Sequence, residues 1–413
     1  MDIVDVAGYA LSSRIDPHQD RSFHGGSRRL LKRDVVLIVI ETADGTRGVS
    51  TAGASSSAMT EYFEGESQGT FADVVDDVVA NALEGETIEE VADAHTLLKN
   101  SDIPEGDLTE AISAVDVALY DILGRQHGAP VYELLADRYE TSPSTQLPLY
   151  ASAGMYMEPE EYADQAKVVE ELGFFGYKYR PGIGPEDDRR TVERLAETLD
   201  ETEIMLDAHT WWKLREGYGR ETVQSLVEHA GEHDAYWVEE PVSPDEYNEY
   251  TELAEIGTPL AGGESENGPE ELLALGKTGA VQFLQGDVRH HEGFTGCWEA
   301  VEFCVGRDDI TFVPHNFGTW IGLAANAHLV AAAPEADLVE YPIFEDDPVF
   351  DTAVDPGMYP FDLAFDLIEG QPTISDGILS VSDDPGLGVE VNLDVIDEYP
   401  FVEGPWTEFH YEE

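Results

Sequence analysis

From Leu147 to Tyr341 the chain repeats one pattern: a short apolar run, a polar or charged residue at its end, a turn, then a helical stretch. The runs are Leu147–Ser152, Gly176–Arg180, Ile204–Asp207 and five more that close at Glu239, Glu264, Asp287, His315 and Glu340. Successive closing residues are separated by 32 (207 to 239), 25 (to 264), 23 (to 287), 28 (to 315) and 25 (to 340) positions, the period of a strand–helix unit. Apolar positions at helical spacing predict helices over 159–172, 185–199, 221–230, 244–256, 269–277, 292–305 and 320–333. Eight such strands with polar residues at their C-terminal tips are the layout of a TIM-like, (β/α)8-type barrel, whose active site lies at those tips.

Outside the repeat the pattern changes. Residues 1–145 read as a separate α+β unit: a strand at Asp34–Glu41, a hairpin turn at Ala43–Thr46, and helices over 70–83, 88–99 and 108–127. The small, polar stretch Gly48–Ser57 is expected to be a mobile loop. The barrel is assigned to 146–360. The tail, 361–413, consists of short strands and turns and is expected to pack back on the N-terminal unit.

Composition changes the picture in one respect. The chain carries 22 Lys and Arg against 86 Asp and Glu, a formal net charge of -64. The acids are spread along the chain, which reads as a solvated surface suited to a very salty cytosol, where screening relieves their repulsion. Nucleic acid is disfavoured as a partner, because phosphate contacts need clustered cations. No membrane-length apolar run is present, and a cytoplasmic location is expected. Cys297 and Cys304 lie too far apart along one helix for a disulfide and are expected in the core.

The strand tips carry the chemistry. Asp207, Glu239 and Glu264 end three consecutive strands, which in a parallel sheet sit about 4.8 Å apart. Converging carboxylates repel one another, and a hard dication removes that cost. Three carboxylates plus water and substrate oxygens suit one Mg2+. Glu240 should point away from Glu239 and support the set from behind. Asp287 and His315 end the next two strands; a carboxylate on one imidazole nitrogen fixes the tautomer and makes the other nitrogen a general base. His209, two residues beyond Asp207, faces the same side and can protonate a leaving hydroxyl. Lys178 and Arg180 share one strand face, with Tyr177 and Tyr179 on the other, so the two cations are expected to point inward and bind a substrate carboxylate. Glu340 is expected to face the mouth as an acid or hydrogen-bond donor. His290 and His291 are expected in a loop near the mouth.

Taken together, these residues resemble the mandelate racemase branch of the enolase superfamily. Ala114-Val-Asp-Val-Ala-Leu-Tyr-Asp121 and Gly128-Ala-Pro-Val131 are similar to the family's N-terminal signatures. Leu206-Asp207, Val238-Glu239-Glu240-Pro241 and Gly263-Glu264 are similar to its metal-ligand motifs, and Asp287, His315, Glu340 and Pro385-Gly-Leu-Gly-Val389 to the rest of its pattern. The resemblance implies a (β/α)7β barrel with an α+β capping domain completed by the tail, and Mg2+-assisted removal of the proton beside a carboxylate. Sites of that superfamily use a Lys or His base with Mg2+ to stabilise an ene-diolate, a feature that comes with the resemblance. Where the family's racemases carry Lys-x-Lys, this chain has Lys178-Tyr179-Arg180. An arginine is a poor base, which puts a two-base racemase in doubt. Asp207-Ala-His209 is similar to the Asp-x-His of galactonate and mannonate dehydratases. The expected activity is dehydration of a sugar acid, an aldonate such as xylonate, arabinonate, gluconate or galactonate, to a 2-keto-3-deoxy acid. Catalysis would fall to His315, Asp287, His209, Lys178, Arg180 and Glu340. A racemase or epimerase, and a non-catalytic ligand-binding barrel, are the alternatives. Relatives are often dimers or octamers, which implies a homo-oligomer.

Overall fold

A computed structural model describes residues 1–52, 69–350 and 358–412. The N-terminal part is an antiparallel sheet. Strands β1 (Ile3–Phe23) and β2 (Gly26–Thr42) form a long hairpin, β3 (Arg47–Ala52) pairs with β2, and helices at Val91–Lys99 and Glu105–His127 accompany it. The strand expected at 34–41 is thus only the buried half of β2; β1 is too polar in alternation to stand out. Gly48–Ala52, expected in a mobile loop, lies in β3 and is buried. Gly48 is there because a Cβ would lie 2.1 Å from the carbonyl oxygen of Ala118, so β3 can lie directly on the long helix. Residues 53–57 of the expected loop lie outside the described residues.

The barrel strands follow: β4 (Gln146–Met155), β5 (Gly176–Arg180), β6 (Glu203–Asp207), β7 (Trp237–Glu239), β8 (Leu260–Gly262), β9 (Phe283–Leu284), β10 (Thr311–Phe312) and β11 (Val339–Pro342). They pair in parallel in the order β10-β9-β8-β7-β6-β5-β4-β11. Between β10 and β11, Asn316 bridges the gap: its N–H donates to Glu340 Oε2 (2.8 Å) and its side-chain amide to the Glu340 carbonyl (3.2 Å).

One buried cluster, including Tyr150, Met205, Trp237, Val313 and Leu338, fills the barrel interior. Four of these stand two residues before a polar tip: Met205 before Asp207, Trp237 before Glu239, Val313 before His315, Leu338 before Glu340. Because side chains alternate along a strand, the apolar residue and the tip residue share the inward face. The same register that packs the core therefore aims the polar residues into one site above it.

The tail contributes twice. Of its strands, β12 (Ile368–Glu369) pairs with β15 (Glu390–Val391), β13 (Thr373–Ser375) with β14 (Ile378–Ser380), and β14 also with the foot of β4. Strand β16 (Thr407–Tyr411) joins β2. The tail therefore touches the barrel as well as the N-terminal sheet.

Candidate active site

Asp207 and Glu239 lie side by side in register on β6 and β7. Glu264 follows β8 after Gly262-Gly263. At Gly263 φ is +134°, and a Cβ would lie 2.6 Å from Leu272 Cδ1 and 2.9 Å from the Gln285 carbonyl oxygen, so only glycine lets the chain turn there.

Each of the three carboxylates meets cations of this chain. Arg180 donates to Asp207 Oδ2 from Nε (3.1 Å) and Nη2 (2.8 Å). Lys178 donates to Glu239 Oε1 (2.7 Å), and its Nζ lies 2.8 Å from Glu340 Oε1. Gln285 donates to Glu239 Oε2 at 2.7 Å. His315 Nε2 lies 2.9 Å from Glu264 Oε2, and its Nδ1 3.0 Å from Asp287 Oδ2. His209 Nδ1 is 2.7 Å from Asp207 Oδ1, yet neither atom completes a hydrogen bond. Lys178, Asp207, Glu239, Asp287 and Glu340 are all buried.

Burial and charge then set the protonation states. Burial pushes Glu239 up to about 8; Lys178 opposes this, while Asp207, Glu264 and Glu340 add to it. Burial also acts against the charged forms of Asp207 and Glu264, but His209 and Arg180 hold Asp207 well below its ordinary value, and His315 holds Glu264 low. For His315 desolvation is outweighed by Glu264 and Asp287, so its pKa rises. Burial lowers His209 to about 4 despite the nearby Asp207.

Two observations bear on whether this set fits a dication. One is the buried, unsatisfied Asp207 Oδ1. The other is the chemistry of the donors: three carboxylates at adjacent tips offer only oxygen, and burial together with the neighbouring acids drives one of them towards protonation. Both fit Mg2+. Among the described residues, the group whose ligating atoms gather within 4.8 Å is a different one, Glu193, His229 and His233. Glu193 and His229 sit on the helices Pro185–Thr198 and Arg220–Glu232 and His233 just past the second, and none of the three lines the cavity above the strand tips.

That cavity measures about 400 Å³ and is lined by Arg180, His209, Glu264 and His315 from the barrel and by Arg28, Arg33 and Asp34 from β2. Three expectations change. Glu340 does not face the mouth: it is fully buried, accepting from Tyr150 Oη (3.2 Å) and Asn316 N (2.8 Å) beside Lys178. Lys178 does point inward, but below the cavity lining. His291 is fully buried, and the Asp287 N–H donates to its Nδ1 at 3.0 Å, whereas His290 lines the cavity with Nδ1 3.2 Å from Glu110 Oε2. Glu240 turns away from Glu239, as expected, and accepts from the N–H (3.0 Å) and hydroxyl (2.7 Å) of Ser265. It thereby fixes the turn that carries Glu264.

Sequence reasoning missed Arg289, which clamps Asp287 through Nε (3.1 Å) and Nη2 (2.5 Å), and Asn326, which donates to Asp287 Oδ1 at 3.1 Å. The signal for Arg289 was available: it stands two residues after Asp287. Lys213, beside Glu264 at 3.9 Å, was also missed.

Two family models cover most of the chain. The Mandelate racemase / muconate lactonizing enzyme N-terminal domain matches residues 16–136, and the Enolase C-terminal domain-like model matches 161–395. The chain is an enolase-superfamily enzyme of the mandelate racemase/muconate lactonizing branch. This enolase-superfamily chain is 27% identical to a D-galactarolactone cycloisomerase of Agrobacterium fabrum, over 97% of the chain and 99% of that protein. It is 24% identical to a D-xylonate dehydratase of Haloferax volcanii, over 72% and 71%. A crystal structure of an enolase-superfamily member from Polaromonas sp. JS666 superposes with a TM-score of 0.80, at 27% identity and covering 98% and 99% of the two chains. Among the described residues, no helix is long and apolar enough to cross a membrane.

Proposed function

We propose that this enzyme removes water from a sugar acid to give a 2-keto-3-deoxy acid, with one Mg2+ held by Asp207, Glu239 and Glu264. The single observation that carries the reading is the Asp287–His315 contact at 3.0 Å beside the carboxylate tips. Mg2+ bound there would polarise the substrate carboxylate and make the neighbouring C–H more acidic.

The chain's own groups do the rest. Asp287, held by Arg289 and Asn326, fixes the His315 ring by Nδ1, and Nε2, which lies against Glu264 at 2.9 Å, is the nitrogen that would take the substrate proton in place of that contact. Glu264 has two roles, partner to Nε2 here and donor in the cation set. Arg180 lines the cavity and presents permanent positive charge to the developing enediolate; Lys178 and Glu340 support it from below. His209 lines the cavity and donates to the departing hydroxyl. Arg180, ion-paired to Asp207 and raised in pKa, cannot serve as a second base. This weighs against racemisation.

A cycloisomerase is the second reading, because the relative that matches 97% of the chain carries that name. The same proton abstraction would then expel a ring oxygen instead of hydroxyl. The test is a screen of sugar acids and their lactones with Mg2+ in molar KCl, with 2-keto product and mass both measured. Loss of one water supports dehydration; a product of unchanged formula supports cycloisomerisation. If no acid reacts, or if His315→Asn and Asp207→Asn leave the rate unchanged, the reading fails.

A further inference from the structure

Among the described residues, the cavity is lined by five Lys and Arg (Arg28, Arg33, Arg180, Lys213, Arg289) and four Asp and Glu (Asp34, Glu110, Glu264, Glu266), in a chain with 22 of the first kind and 86 of the second. A chain so poor in cations has concentrated them here. Most are engaged: Arg180 on Asp207, Arg289 on Asp287, Lys213 near Glu264. Asp34 is likewise occupied, accepting from Lys32, Ser12 and Trp406.

Arg33 differs. Among the described residues its side chain has neither a hydrogen bond nor an ion pair, and its Nε is buried without a partner. Its guanidinium instead lies over aromatic rings: Trp406 at 4.4 Å, Tyr359 at 5.1 Å and Phe361 at 5.9 Å. All three rings also line the cavity. Ring faces hold and partly desolvate a guanidinium but leave its N–H edges unused. Those edges match a carboxylate in two parallel hydrogen bonds. In an acid-rich chain, an arginine on a cavity wall that pairs with no acid among the described residues, its neighbour Asp34 being held by Lys32, Ser12 and Trp406, is a site kept open for an anion.

Resting on the sugar-acid reading above, we propose that Arg33 receives a second carboxylate, at the far end of the substrate from the reacting one. The preferred substrates are then aldarates, sugar acids with a carboxylate at each end. The cavity volume of about 400 Å³ suits a molecule of that size, and barrel tips and β2 face it from different domains.

The test compares D-galactarate and D-galactonate, which differ in the far end, and likewise D-glucarate and D-gluconate. kcat and KM are measured with Mg2+ in molar KCl, and binding by the shift in melting temperature with each acid, which reads affinity without turnover. The expected result is an aldarate KM or midpoint affinity at least about tenfold better than that of the matching aldonate, from one added bidentate pair. Arg33→Met should erase this difference by raising KM for the aldarate, with kcat and the aldonate values nearly unchanged; Arg33→Lys should restore part of it. The unliganded melting temperature of each variant shows whether the aromatic stack survives. Equal handling of the two acids by the parent enzyme, or discrimination that survives in Arg33→Met, overturns the inference. Turnover of aldonates without aldarate preference sinks this inference alone, whereas no binding or turnover of any acid sinks the catalytic reading as well.

Discussion

At the scale of single residues, the site is a set of opposite charges, each needed to keep another in place. Lys178 stands between Glu239 and Glu340, all three buried. Removing one member of such a group leaves uncompensated charge, which costs roughly 3–5 kcal/mol. Lys178→Met is therefore expected to lower stability by that order as well as activity, measured by urea unfolding. His315→Asn removes both the base and the positive partner of Glu264 and Asp287, so kcat should fall by about a thousandfold and the urea midpoint should fall as well. Arg289→Met leaves Asp287 with His315 and Asn326 but frees it to turn. A drop of roughly ten- to a hundredfold in kcat, with a shifted pH profile, is expected. The tip residues and the dyad could be read from the sequence because each closes an apolar run. Arg289 was within reach of such a reading, two residues from Asp287, whereas nothing local says that Asn326, 39 positions on, reaches the same carboxylate.

At the scale of elements, the helix Glu105–His127 reaches the barrel and the tail through two buried aspartates. Asp116 accepts from the Thr295 hydroxyl (2.6 Å) and meets His95 Nε2 (2.9 Å). Asp121 accepts from Val49 N (3.1 Å), Leu387 N (2.9 Å) and Arg125 Nε (3.0 Å). The tail turn fits only because residue 386 is glycine: its φ is +76°, and a Cβ would lie 2.1 Å from Asp121 Oδ1. Gly386→Ala should thus destabilise by about 1–3 kcal/mol in chemical denaturation, the range for overpacked positions. Burial raises Asp121 to about 6, against the pull of Arg125. With the folded pKa above the unfolded one, the native state binds more protons between about pH 4 and 6. The penalty for ionising this carboxylate is present above pH 6 and is relieved as pH falls towards 4. Stability of the parent relative to Asp121→Asn should therefore rise on acidification, by at most about 1.4 kcal/mol per pH unit. The sequence showed this helix and its motif. Why the two acids recur within it became evident only from what they reach in other elements.

At the scale of the whole molecule, the net charge of -64 dominates. Screening length falls from about 10 Å at 0.1 M salt to about 3 Å at 1 M, so self-repulsion between surface carboxylates fades over that range. The melting temperature is expected to rise between 0.1 M and molar KCl, and differential scanning calorimetry at several concentrations reads it directly. A flat response would mean that the surface acids do not oppose folding. The buried ion pairs of the active site are shielded less by salt and should contribute little to the slope.

Hydrophobic periodicity alone determined the eight-strand repeat, the helices between and the identity of the tip residues, because one register sets both core packing and inward polar facing. Polar alternation hid β1, and small residues disguised β3 as a loop, because only the helix packed on Gly48 explains its composition. Depth was likewise beyond the sequence: Glu340 and Lys178 lie beneath the cavity and Arg180 beside it, since depth depends on how neighbouring strands stagger. That an arginine of β2 shares a wall with the barrel tips was decided by domain docking, a contact between segments far apart in the chain that no local pattern encodes.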